Sequence, residues 1–287
     1  MTHTVVCLRP EADFLRIGVV PPVGISIRYM APGDADLAAA LKAADALVIP
    51  AVGPKLAPEL FEGTKLRLVQ VTGAGLDRLD AATMKRLGIP VANVPGGSNN
   101  AVAEYCVGAA LDLARRMSWS SAEIMAGRYV QFRARMVADN LAGLDGQTVG
   151  VVGLGTIGMA VAAAFAARGS RIVYFDPKPP MAEAAAKAGY VAASLEALLE
   201  QADVVTLHVP LIPATTGLIG AAQLARMKKG AILTNTARGG IVDEAALAGS
   251  LTSSHLGGAA VDVYSTEPPG PDNPLLQVSG EAANRLL

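Results

Sequence analysis

Thr148-Val149-Gly150-Val151-Val152-Gly153-Leu154-Gly155-Thr156-Ile157-Gly158-Met159-Ala160-Val161-Ala162 decides how the rest of the chain is read. Small and apolar residues lead into three glycines spaced G-x-G-x-x-G, and an alanine-rich run follows. This is the pattern of a strand, a tight turn and a helix. Gly153 permits the turn, Gly155 lets the backbone approach a pyrophosphate, and Gly158 lets the helix pack close to its strand. The helix start, at Thr156 and Ile157, offers free N–H groups and a positive dipole end to phosphate. The next strand, Arg171–Phe175, ends at Asp176, roughly 20 residues past the glycines, where a ribose 2′-hydroxyl would be read. A bare strand–helix turn would explain the glycines but not the placing of Asp176.

Outward from this point the doubly wound pattern continues. Strands are expected at 148–152, 171–175, 203–207, 231–235 and 257–261. Helices are expected at 156–168, 181–188, 194–200, 220–227 and 243–250, with Ile157, Val161 and Phe165 facing the sheet. The stretch from Gly146 to Ala167 carries no charge and on hydropathy alone could span a membrane. Its glycine spacing and flanking βαβ pattern argue for a buried strand and helix instead.

Towards the N-terminus, short apolar runs alternate with helical stretches. Val5–Leu8, Ile25–Tyr29, Ala46–Ile49, Leu66–Val71 and Pro90–Val94 read as strands. Asp34 is expected to cap a helix through Leu37 and Leu41, and Ala81–Leu87 reads as another helix. This alternation predicts a small parallel α/β domain. Thr72-Gly73-Ala74-Gly75-Leu76-Asp77 follows a strand's carboxyl end. It is either an anion-binding turn or a plain connection. Pro95-Gly96-Gly97-Ser98-Asn99-Asn100 marks the boundary, giving domains at 1–99 and 100–287. A long helix from Ala101 to about Ala126 follows, and Gln131–Asp145 reads as a connection docked on the second domain.

The 287 residues carry a formal net charge of -1, which gives no footprint for nucleic acid or an acidic membrane surface. Two distant cysteines form neither a disulfide framework nor a metal site, so a reducing, cytoplasmic setting is expected. No signal-peptide pattern opens the chain.

Three segments follow strand ends in the second domain: Leu207-His208-Val209-Pro210-Leu211, Thr234-Asn235-Thr236-Ala237-Arg238-Gly239, and Val261-Asp262 through Glu267-Pro268. With the Ala74-Gly75-Leu76-Asp77 turn and the glycine fingerprint, they make the sequence resemble the D-isomer-specific 2-hydroxyacid dehydrogenase family over almost its whole length. The resemblance implies α/β architecture with two doubly wound parallel-sheet domains, a flavodoxin-like substrate domain and a Rossmann NAD-binding domain, with a cleft between them and usually a homodimer. It implies hydride transfer between NAD(H) and C2 of a small 2-keto or D-2-hydroxy acid. Arg238 would hold the substrate carboxylate and polarise the carbonyl, a task suited to a guanidinium fork. The amides of Ala74 and Gly75 would help hold the carboxylate. Glu267 would hydrogen-bond an acid imidazole. Val209, Pro210, Thr236, Ala237 and Asp262 would lie on the cofactor side. Asp176 favours NAD over NADP because an acid repels a 2′-phosphate.

One family element is missing. The catalytic histidine would follow the Glu-Pro segment, yet the only histidines are His3, His208 and His255. Two expectations compete: a segment absent between Gln277 and Val278, with the tail starting a helix that returns to the first domain, or a shortened chain that binds NAD without its proton donor, as a regulator would.

Overall fold

The computed structural model describes residues 2–139 and 141–287. The chain divides into two compact units, Met1–Gly97 and Ser98–Leu287.

The first unit contains β1 (His3–Cys7), α1 (Glu11–Leu15), β2 (Ile25–Tyr29), α2 (Leu37–Ala43), β3 (Ala46–Ile49), β4 (Leu68–Val71), α3 (Ala81–Leu87) and β5 (Val91–Ala92). Its sheet has the order β2-β1-β3-β4-β5, and every neighbouring pair is parallel. This is the flavodoxin-like arrangement. Val6, Leu37, Leu41, Leu47, Ile49, Phe61, Val69 and Val71 form its core. Asp34 does not cap α2. Its carboxylate accepts from the Ala31 amide at 2.9 Å and closes the preceding turn, while Asp36 occupies the cap position.

The second unit opens with α4 (Asn99–Arg115), α5 (Met117–Met125) and α6 (Tyr129–Asp139). The single long helix expected here is broken at Arg116, whose φ of 53° is left-handed. Asp112 makes the break stable by accepting from Ser118 N at 2.7 Å and Ser118 Oγ at 2.6 Å, an N-terminal cap for the new helix. Helix α6 occupies most of the stretch expected to be a connection. Of its residues only Phe132 is buried, its ring tilted against Trp119 with centroids 5.2 Å apart, so its sequence shows little periodicity.

The sheet of this unit is built from β6 (Thr148–Val152), β7 (Arg171–Phe175), β8 (Val191–Ala192), β9 (Val204–Leu207), β10 (Ile232–Asn235) and β11 (Gly258–Val261). Between them run α7 (Thr156–Ala166), α8 (Ala182–Lys187), α9 (Leu195–Gln201), α10 (Ala221–Arg226) and α11 (Glu244–Thr252). The all-parallel order β11-β10-β9-β6-β7-β8 is the Rossmann arrangement. Both faces are covered, which is why β6, β9, β10 and β11 are buried along their length. One face packs Val161 and Phe165 of α7 with Cys106 and Ala110 of α4. The other packs Leu198, Leu224, Leu247 and Leu251 from α9–α11. No helix among the described residues is long and apolar enough to cross a membrane. The uncharged stretch from Gly146 contains β6 and α7.

The tail corrects one expectation. The chain continues directly from Gln277 to Val278, whose amide donates to Leu275 O at 3.3 Å and closes a 3₁₀ turn at Pro274–Gln277. No segment intervenes. Gly280–Arg285 is a second 3₁₀ turn rather than the start of an α-helix, because a parallel bridge between Leu286 and Ala259 draws it to the edge of β11. Leu287 N donates to Ala259 O, and Val261 N to Leu287 O, both at 2.9 Å.

Candidate cofactor and hydride-transfer site

In a Rossmann sheet the ligand crevice lies where the strand order reverses, here between the carboxyl ends of β6 and β9. Gly153, with φ +92°, makes the turn out of β6. A Cβ on it would lie 2.6 Å from His208 O, so the two strand ends touch through backbone. A Cβ on Gly158 would lie 2.0 Å from Gly153 O, so α7 starts directly against the turn. Gly155 differs: it caps α7, and the space its Cβ would fill is open. The amides of Gly155, Thr156 and Ile157 donate to no protein acceptor among the described residues, as a helix start requires when an external anion is to complete it.

Asp176 is fixed at the end of β7. Its Oδ2 accepts from Leu154 N and its Oδ1 from Lys178 N, both at 2.8 Å. Each oxygen keeps a second lone pair for a hydroxyl. The open space over Gly155, the three amides and this anchored acid together fit a dinucleotide.

Residues from β9, β10 and β11 complete the crevice. Val209 Cγ1 lies against Gly153, and Pro210 O accepts from Thr215 Oγ1 at 2.5 Å. Asn235, only 2% exposed, shapes the following loop. Its Oδ1 accepts from Ala237 N at 3.2 Å, and its Nδ2 donates to Arg238 O at 3.0 Å. The Arg238 guanidinium folds back to Ala237 O at 2.7 Å. Gly239 has no room for a side chain, since a Cβ would be 1.8 Å from Tyr264 O. That approach sets the Arg238 loop on the segment carrying Asp262 and Glu267. Burial, then the neighbouring Glu267 charge, pushes the Asp262 carboxyl above its ordinary value. Glu267 Oε1 accepts from Tyr264 N at 3.0 Å.

The sequence reading included Asn235 in its motif without giving it a role, and it did not reach Glu244. Glu244 accepts from Ser265 N at 2.6 Å, Ser265 Oγ at 3.0 Å and Asn273 Nδ2 at 2.7 Å, so it braces the Glu267 segment. An asparagine ending a buried strand is the signal that could have exposed the first. Glu244 lies 23 residues before Glu267 on another element and gave no signal. In the first unit the 73–75 turn is held by Val94 N to Gly73 O at 2.9 Å and Asn93 Nδ2 to Ala74 O at 2.8 Å. The amides of Ala74 and Gly75 have no protein acceptor among the described residues.

None of the three histidines supplies the acid. His3 sits beside Asp45 at 3.6 Å in the first unit, with an exposed side chain. His255 shares a hydrogen bond with Leu224 O at 3.0 Å and precedes β11, at the wrong end of the sheet. His208 is bonded through Nε2 to Thr206 Oγ1 at 2.8 Å, and burial lowers its pKa to about 3. It is neutral when a proton donor is needed. Protonation of His208 therefore favours the unfolded chain. Its contribution to stability is complete above pH ~6.5 and is lost as pH falls towards 3. Denaturant unfolding between pH 7 and pH 4 checks this, and His208→Gln flattens the slope.

Comparison with known proteins places this geometry. Residues 107–281 match the model described as D-isomer specific 2-hydroxyacid dehydrogenase, NAD binding domain. The chain belongs to the D-isomer specific 2-hydroxyacid dehydrogenase family. It is 36% identical over 271 residues to the D-3-phosphoglycerate dehydrogenase of Mycobacterium leprae, covering 93% of this chain and 50% of that one. The chain thus spans about half the length of the curated relatives it matches. The solved TT0316 protein from Thermus thermophilus is 31% identical, with a TM-score of 0.77, over 99% of this chain and 88% of that one. The NAD-dependent formate dehydrogenase of Staphylococcus aureus, solved in complex with NAD, is 27% identical, with a TM-score of 0.78, over 99% of this chain and 87% of that one. The second unit is therefore this family's NAD-binding domain.

Proposed function

We propose that the protein binds NAD(H) and exchanges hydride between it and C2 of a small 2-keto or D-2-hydroxy acid. The fingerprint turn carries this reading: free amides at Gly155, Thr156 and Ile157, with open space over Gly155. Gly153 and Gly158 shape that turn, and Asp176 takes the ribose hydroxyls, which favours NAD over NADP. Val209, Pro210, Thr236, Ala237 and Asp262 form the cofactor side. Bound NADH supplies the hydride. Arg238 holds the substrate carboxylate and draws charge onto the carbonyl oxygen as it develops. The amides of Ala74 and Gly75 are the second assigned carboxylate donors. Glu267 is assigned to orient an acid imidazole, and a positioned acid of that kind contributes about 10²–10⁴-fold to turnover.

A second reading, an NAD-binding regulator without turnover, is favoured by one observation: no histidine other than the neutral His208 lies near the strand ends that build the site. A cytoplasmic homodimer completes the proposal. Cys7 and Cys106 are buried free thiols, and Met125, Val130 and Val137 expose apolar surface on α5 and α6.

The test is NADH titration followed by an NADH-oxidation assay with glyoxylate, hydroxypyruvate and pyruvate. Tight binding is expected, with oxidation of NADH by at least one of the three acids. Binding with no oxidation leaves the regulator reading in place, and no binding sinks both.

A further inference from the structure

At the amino ends of β10 and β11, opposite the cofactor turn, lies a cavity of about 560 Å³. Its wall contains Arg116, Arg135, Lys229 and Arg285, and the only acid among its lining residues is Asp139. Local structure accounts for part of this cluster. The left-handed break at Arg116 turns its guanidinium over Trp119, at 5.2 Å from the ring centre, with Nη1 2.5 Å from Asp139. Arg135 covers the same ring at 4.7 Å and bonds Glu281 at 2.7 Å. Arg285 Nη2 donates to Leu251 O at 2.8 Å, at the end of α11, and to Ser254 Oγ at 3.1 Å.

Stacking and helix-end capping explain those bonds but leave two groups over. Arg285 Nε is buried and has no hydrogen-bond partner. Lys229 forms no ion pair among the described residues. Four cations face two carboxylates, Asp139 and Glu281, so the cluster is two positive charges in excess. Burial pushes the Arg285 guanidinium down. Glu281 opposes this, and the Arg135 and Arg116 charges add to it. Leaving a buried donor without an acceptor is unfavourable, and an incoming anion would remove that cost.

We propose that this cavity binds a phosphate dianion, distinct from any phosphate held at the glycine fingerprint. A dianion matches the two-charge excess. Its several acceptor oxygens suit guanidinium forks with a lysine as point charge. The volume falls within the usual range for small-ligand sites, so it has room for the carbon body of a phosphate monoester as well as for inorganic phosphate. The proposal does not depend on hydride transfer.

Trp119 is the chain's only tryptophan, 3% exposed and flanked by two of the guanidiniums, so its fluorescence reports on this cavity. The experiment titrates inorganic phosphate and, separately, glycerol 3-phosphate into the full chain at constant ionic strength set with sodium chloride. A saturable change is expected, with affinity reduced at least about fivefold in Lys229→Ala and Arg285→Gln, each lost ionic contact being worth about 1 kcal/mol or more. Tighter binding of the ester identifies a phosphorylated metabolite as the ligand, and equal binding identifies free phosphate. Lys229 is exposed, so its alanine variant keeps the fold and decides the matter even where Arg285→Gln loosens the tail. A change that chloride reproduces, that never saturates, or that survives in Lys229→Ala overturns the proposal.

Discussion

Replacing Arg238 by glutamine lowers kcat/KM for 2-keto acid reduction by about 10²–10³-fold, the usual cost of losing a donor aimed at a developing oxyanion. NADH affinity stays within about twofold, because the cofactor is assigned to the turn at Gly153–Gly158. Arg238→Lys recovers little, since an ammonium is a point charge and cannot present a fork to a carboxylate. Both variants lose the guanidinium's bond to Ala237 O, but the loop keeps its bracing by Asn235. Its hydrogen bonds with Asn235 run through Ala237 N and the main-chain carbonyl of Arg238, not the guanidinium. Steady-state kinetics with a fluorescence titration of NADH separate the two effects. An unchanged kcat/KM in Arg238→Gln would remove Arg238 from the substrate site.

The second large effect comes from a single methyl group at the fingerprint. In Gly158→Ala the new carbon lies 2.0 Å from Gly153 O and 3.1 Å from its carbonyl carbon. Neither atom belongs to a flexible side chain, so α7 must shift away from β6. Such overpacking costs about 1–3 kcal/mol, and displacing the helix start lowers NADH affinity by at least about tenfold. Gly155→Ala is the matched control. Its φ is -78° and its Cβ meets nothing within 4 Å, so the fold keeps its stability. The methyl instead enters the space assigned to the pyrophosphate, and only NADH affinity falls. Thermal unfolding and NADH titration of both variants check the contrast. Equal affinity in Gly155→Ala and the parent would mean that no pyrophosphate approaches this turn.

The strands were legible because burial on both faces leaves long apolar runs, as in Val149–Val152 and Val204–Leu207, and because glycines punctuate their ends. The parallel, doubly wound class followed from the alternation of strands and helices, whereas the order of the strands was not read from it. The two-residue strand β8 was not legible: Val191 and Ala192 are exposed and carry no alternation. The break at Arg116 was hidden because arginine gives no warning of a left-handed residue. It depends on Asp112 reaching forward six residues to Ser118. The loop glycines of the site could be read from spacing, since a close approach demands the same residue wherever it occurs. The braces could not, because Glu244 meets Ser265 and Asn273 only once α11 packs on the 3₁₀ turn at Pro274–Gln277. The tail misled because the expected helix was judged by local sequence, whereas Leu286 and Leu287 are captured by the unpaired edge of β11.

The double attachment of Asp176 bears on any attempt to engineer cofactor preference. The residue that would exclude a 2′-phosphate also ties the glycine turn to the end of β7 through Leu154 N, beside the main-chain bond from Gly153 N to Phe175 O, and holds its own loop through Lys178 N. Replacing it with alanine to admit NADP would cut both ties at once and slacken the turn that must grip either cofactor. Asparagine removes the charge and keeps one acceptor for Leu154. A route to NADP use should therefore begin with Asp176→Asn and add a cation nearby, gaining the new cofactor without surrendering the old grip.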